Sequence, residues 1–224
     1  MVNPKRTIVA NDASVVSDRK VILENVTLEC CPGEWTLLTG PSGAGKSTLL
    51  NMLNGLCSPS SGSVTTLGTR RPGATRLQNI KVWGQCGTVL QDVALFDCLN
   101  VLDNVTLPLK QHSLSKMDRE KKASYWLERL GMNGLEHEYP CRLSGGQRQR
   151  VALARAFVVE PKVLFLYDPY SALDDDNAAK VVDILAEFAS AGTSIMMSTH
   201  QPALIQGRCD TMLEVNDGCV CEIA

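Results

Sequence analysis

Residues 19–32, RKVILENVTLECCP, alternate apolar and polar side chains and stop at Pro32-Gly33. That pattern predicts a half-buried strand closed by a turn. Trp35 to Thr39 reads as a short apolar strand, and the glycine-rich run Gly40 to Gly45 follows it directly. From Lys46 to Leu56 the spacing becomes helical, with Leu49, Leu50, Leu53 and Leu56 predicted to share a face. A turn over 58–62 leads to a strand from Ser63 to Leu67. The stretch 92–143 differs in character. Its amphipathic segments, its charged run over 116–122 and a helix ending near Leu130-Gly131 predict a helical insertion. Beyond it come a helix over 147–158, a buried strand over 163–166, a helix over 177–190 and a buried strand over 193–198. Strands alternating with helices predict an α/β fold around a mostly parallel sheet. The core then comprises 1–91 and 144–224, with 92–143 as a helical subdomain inside one cassette-sized unit.

Composition narrows this only a little. Hydrophobic residues at 44% and charged residues at 21% suit an ordinary globular domain, and a net charge of -2 gives no reason to expect a nucleic-acid partner. The chain opens MVNPKRTIVANDAS, with no apolar region behind its basic residues. Its nine cysteines are therefore expected to stay reduced and to serve as small core hydrophobes. Cys30 and Cys31 are adjacent, and Cys219 and Cys221 flank Val220, spacings that fit neither a zinc knuckle nor a redox pair. No run approaches the roughly 20 apolar residues that cross a bilayer, so work at a membrane would need a partner.

The chemistry starts at Gly40-Pro41-Ser42-Gly43-Ala44-Gly45-Lys46-Ser47, which satisfies G-x-x-x-x-G-K-[ST] at every fixed position. Such glycines let successive backbone N–H groups turn inward around phosphate oxygens, and the following helix aims its positive end at the same anion. Lys46 is expected on the β- and γ-phosphates, Ser47 on Mg²⁺, and Thr48 on a phosphate. By itself this motif fits a kinase, a GTPase or a motor equally well.

A second motif, Leu143-Ser144-Gly145-Gly146-Gln147, resembles the LSGGQ signature of ATP-binding cassettes. Ser144 can cap the helix that follows, and two glycines add unhindered N–H groups, making another phosphate-binding helix start. The resemblance covers nearly the whole chain and implies the family fold: a P-loop core, a small antiparallel β region and the inserted helical subdomain. It implies ATP and Mg²⁺ as ligands, a second copy of the chain as head-to-tail partner, and integral-membrane permease subunits. The implied location is the cytoplasmic face of the inner membrane, held peripherally. Within that resemblance Gln91 looks like the glutamine that meets Mg²⁺ and the attacking water. Ser171 to Asp174 looks like the D-loop, and His200 like the switch histidine. The segment Leu95 to Leu109 is similar to cassettes of the lipoprotein-release and macrolide-export type, which implies export or extraction, and amino-acid uptake cassettes are close in sequence here too.

Two positions depart from the family pattern. Family members end one strand with Asp-Glu-Pro-Thr, whereas this chain reads Leu166-Tyr167-Asp168-Pro169-Tyr170. Tyr167 then falls at the metal-associated aspartate and Asp168 at the glutamate that polarises water. A carboxylate one methylene shorter is expected to slow hydrolysis, since a misplacement of about 1 Å can cost on the order of 100-fold. The second departure is that no aromatic residue precedes Trp35. The ring expected to stack on adenine, from about Val15 to Ser17, is missing, at a cost of about 1 kcal/mol.

Overall fold

The computed structural model describes residues 6–205 and 207–223. Strand β1 (Ile8–Ser17) turns through Asp18 and Arg19, both at positive φ, into β2 (Lys20–Cys30). β3 (Trp35–Thr39) leads through the glycine loop into α1 (Lys46–Asn54), followed by β4 (Ser61–Thr66) and β5 (Thr69–Arg71). Helix α2 (Arg76–Trp83) and strand β6 (Cys86–Val89) come next. Residues 92–143 then hold α3 (Val101–Thr106), α4 (Lys116–Arg129) and short 3-10 turns at Leu107–Gln111 and Pro140–Arg142. The remainder is α5 (Gly145–Phe157), β7 (Val163–Tyr167), α6 (Asp175–Ser190), β8 (Ser194–Ser198), β9 (Thr211–Asn216) and β10 (Cys219–Ile223).

Two sheets organise these elements. One has the order β10-β9-β3-β8-β7-β6, parallel from β9 to β6, with β10 antiparallel at the edge. The other is antiparallel with the order β2-β1-β4-β5. In the parallel sheet β3, β7 and β8 lie side by side, and every residue of β7 and β8 is buried. That is why those strands read as unbroken apolar runs. It also brings the chain after β3, β7 and β8 to one edge, where ligands gather in such sheets.

Helix α1 packs between the two sheets, with Leu49, Leu50, Met52 and Leu53 fully buried. A second apolar cluster joins the other face of the parallel sheet to α3, α4, α5 and α6. Trp126 stacks on Phe188 at 5.3 Å between ring centres and meets Phe157 edge-on at 5.4 Å.

Several expectations are corrected. Leu56 does not share the buried face of α1: it is 53% exposed, because Gly55 ends the helix in the left-handed conformation and turns the chain away. Ile8–Ser17 forms a strand that alternation did not reveal, since its pairing with both β2 and β4 passes through register shifts. The cysteines are not uniformly core residues. Cys30 and Cys86 are buried, but Cys98, Cys141, Cys219 and Cys221 are exposed, the last two on edge strand β10.

Candidate nucleotide site

The phosphate loop is shaped by backbone conformations that favour glycine. Gly40, Gly43 and Gly45 have φ of 126°, 81° and 106°. Gly40 is constrained twice, because a Cβ there would lie 2.1 Å from the carbonyl oxygen of Val215. The first bond of α1 runs from Leu49 N–H to the Gly45 carbonyl at 2.8 Å. The N–H groups of Lys46, Ser47 and Thr48 therefore have no intrahelical acceptor and present a positive helix end. Lys46 Nζ donates to the carbonyls of Gly40 at 2.7 Å and Pro41 at 2.8 Å. The ammonium is thereby held over the loop with donor capacity left.

This loop opens on a cavity of about 330 Å³ lined by Ser42, Gly43, Gly45, Lys46, Ser47 and Thr48 on one side. Gln91, from just after β6, and Asp168, Thr199 and His200, from just after β7 and β8, line the other side. Residues far apart in sequence thus converge because their strands are neighbours. Gly40, Pro41 and Ala44 shape the loop from behind and do not line the cavity.

Tyr167 is 5% exposed, and its hydroxyl donates to Asn51 Oδ1 on α1 at 2.7 Å. Burial raises this phenol well above its ordinary range, so it stays neutral. A side chain longer than aspartate has reached across to the flank of α1, one turn beyond Ser47. Its oxygen is engaged there and offers no anionic ligand.

Asp168 stands immediately after β7 at φ 48°, with its N–H donating to the Ser198 carbonyl at 2.8 Å. Its Oδ1 accepts from Thr199 Oγ1 at 3.1 Å and from His200 N–H at 3.4 Å. Tyr170 is fully buried, and its hydroxyl has no hydrogen-bond partner among the described residues. Burial pushes that phenol up to about 12. Sequence reading did not single out Thr199 or Asn51. An ordinary polar residue in a helix or beside a histidine carries no signal until the fold supplies its neighbour.

The signature residues lie elsewhere. Ser144 caps α5, its hydroxyl accepting from Gln147 N–H at 3.2 Å while Gln147 Oε1 accepts from Ser144 N–H at 2.8 Å. This reciprocal box satisfies two free donors of the helix start. Gly146 is pressed against the D-loop: a Cβ there would meet the Ala172 carbonyl oxygen at 2.8 Å. None of Ser144, Gly145, Gly146 and Gln147 lines the cavity beside Lys46. Within one chain the starts of α1 and α5 are separate.

Among the described residues that line the cavity, Tyr167 is the one aromatic (Phe, Tyr or Trp) side chain. Val15 is turned into the core at 8% exposure, and Tyr167 lies beside α1 rather than near Val15.

A glycine loop between a central parallel strand and a helix, facing a glutamine, a carboxylate and a histidine, defines a P-loop nucleoside-triphosphatase site. Comparison with known proteins makes the assignment narrower. Residues 23–171 match the family model described as ABC transporter. The glutamate transport ATP-binding protein of Corynebacterium glutamicum is 37% identical, covering 89% of this chain and 83% of that protein. The cell division ATP-binding protein of Escherichia coli K12 is 38% identical, with 88% of each covered. A macrolide export ATP-binding/permease protein of Chromobacterium violaceum is 36% identical over 90% of this chain, which spans 31% of that longer protein. A dimeric ATP-binding cassette solved in a post-hydrolysis state with ADP and Pi superimposes with a TM-score of 0.89 at 28% identity, covering 96% of this chain and 97% of that one. The chain belongs to the ABC transporter family, as an ATP-binding cassette.

Proposed function

We propose that this chain is the ATPase subunit of a membrane transporter, in which two copies close head to tail around ATP and a separate permease carries the cargo. The observation that supports it is the split arrangement of the site. Lys46, Gln91, Asp168 and His200 line one cavity, while the exposed cap at Ser144 does not line it. A second copy would bring its own Ser144–Gln147 to the γ-phosphate. No described helix is long and apolar enough to cross a membrane, so attachment is assigned to the permease, at the cytoplasmic face of the inner membrane. Residues 92–143 would form the helical subdomain that turns with the signature helix.

Among the described residues no group of three His, Cys, Asp or Glu comes together to hold an ion by itself. The donors do fit a magnesium ion that arrives with its nucleotide. The Ser47 hydroxyl and the Gln91 amide oxygen, which line the same cavity, would hold it together with the nucleotide's phosphates. When bound, such an ion neutralises phosphate charge.

The loop N–H groups of Lys46 to Thr48 bind the β- and γ-phosphates, and Lys46 adds a charge-assisted hydrogen bond. Asp168 takes a proton from the attacking water as the water oxygen bonds to the γ-phosphorus. The bond to the bridging oxygen breaks, and ADP and phosphate leave. His200 orients the γ-phosphate. Turnover is slow, because the carboxylate is short and Tyr167 gives the metal no anionic support.

The Tyr167–Asn51 bond favours a second reading, a cassette that binds ATP as a clamp with little hydrolysis. Phosphate release by the full chain at saturating Mg-ATP decides between them. Slow but measurable release, lowered about 100-fold or more by Asp168→Asn, is expected for a general base. Equal measurable rates in the two proteins would remove Asp168 from that role, and no measurable release by the wild type would leave the clamp. Export or extraction is the transport direction proposed, on the segment Leu95 to Leu109. The glutamate-transport relative is as similar as the macrolide exporter, so reconstitution with the permease provides the test.

A further inference from the structure

We infer that Thr199 is the positioning residue that lets a lone, shortened carboxylate act as base. The inference rests on the reading of Asp168 given above. A glutamate at this position would reach further into the cavity. An aspartate must instead be held with one oxygen aimed correctly, because each extra rotamer dilutes the productive geometry.

Thr199 Oγ1 sits among the Gln201 N–H, the Asp168 carboxylate and the Tyr170 hydroxyl. Gln201 N–H donates to Thr199 Oγ1 at 3.0 Å, and a backbone N–H can only donate. That fixes one lone pair of the hydroxyl and leaves its proton for Asp168 Oδ1, 3.1 Å away. The carboxylate can only accept, so the chain Gln201 N–H to Thr199 to Asp168 runs in one direction. His200 N–H adds a longer contact to the same oxygen at 3.4 Å. Both restraints fall on Oδ1, while Oδ2 takes no hydrogen bond from the described residues. Asp168 lines the same cavity as Ser47, and Oδ2 is its acceptor left for a water proton.

The support is itself rigid. Thr199 is 8% exposed and directly follows β8, whose Ser198 carbonyl binds the Asp168 N–H. Backbone and side chain of Asp168 are thus fastened to two consecutive residues, Ser198 and Thr199. The same segment carries His200, so the base and the γ-phosphate contact are set by one short stretch of chain.

The test compares wild type, Thr199→Val, Thr199→Ser and Asp168→Asn as full chains, measuring phosphate release and ATP affinity. Valine keeps the shape and removes the hydroxyl. It is expected to lower kcat by about 10- to 100-fold, the scale of lost positioning, with KM for ATP changed by less than about twofold. Serine retains the hydroxyl and is expected within about threefold of wild type. A Thr199→Val protein that turns over like wild type overturns the inference, while loss of turnover in Asp168→Asn still upholds the base. A kcat loss accompanied by an equal loss of ATP affinity, or one that serine does not rescue, also overturns it, since the role is then structural. Turnover unchanged in Asp168→Asn removes the base and this inference together.

Discussion

At the residue scale the two tyrosines that flank Asp168-Pro169 behave differently. Tyr167 is buried and satisfied by Asn51, so it ties β7 to α1. Tyr170 is buried beside Thr199, and its hydroxyl makes no well-formed hydrogen bond among the described residues. A buried, unpaired polar group costs about 1–3 kcal/mol, and replacing it with an apolar group of the same shape is neutral or stabilising. Tyr170→Phe is therefore expected to leave the urea midpoint unchanged or raise it. A loss of about 1 kcal/mol would show instead that the hydroxyl is paired.

Among the elements, α5 shows how one feature serves both folding and chemistry. Its capping box closes the donors of Ser144 and Gln147 on each other, while Gly145 and Gly146 leave the helix start uncovered. Removing the cap with Ser144→Ala is expected to cost about 1 kcal/mol of stability, read from urea unfolding. The loss is present without nucleotide, because the box forms within one chain. Gly146 is held to a small residue for a different reason, the Ala172 carbonyl 2.8 Å from where its Cβ would be. The D-loop and the signature helix therefore rest directly on each other. Asp174 caps α6 by accepting from Asn177 N–H at 2.9 Å, and those Asn177 hydrogen bonds hold its carboxyl below the usual range.

Over the whole molecule, burial sorts the nine cysteines. Burial pushes the thiols of Cys30 and Cys86 up to about 12, so they remain protonated and shielded near neutral pH. Cys98, Cys141, Cys219 and Cys221 are exposed. Brief iodoacetamide labelling of the native chain at pH 8, followed by peptide mass analysis, is expected to modify those four and spare Cys30 and Cys86. The phosphate loop was legible in the order of residues because it is local: glycines, lysine and serine act within eight positions. The capped signature helix was legible for the same reason, as were the apolar runs of β7 and β8, which are buried on both faces. Only the fold could show that β3, β7 and β8 are neighbours, and so that Lys46, Asp168 and Thr199 share a cavity. Only the fold could show Tyr167 reaching Asn51, 116 residues away along the chain. Hydrogen bonds between distant segments leave no periodicity in the sequence. Their partners are selected by which strands lie side by side, and that is settled by burying the whole core at once.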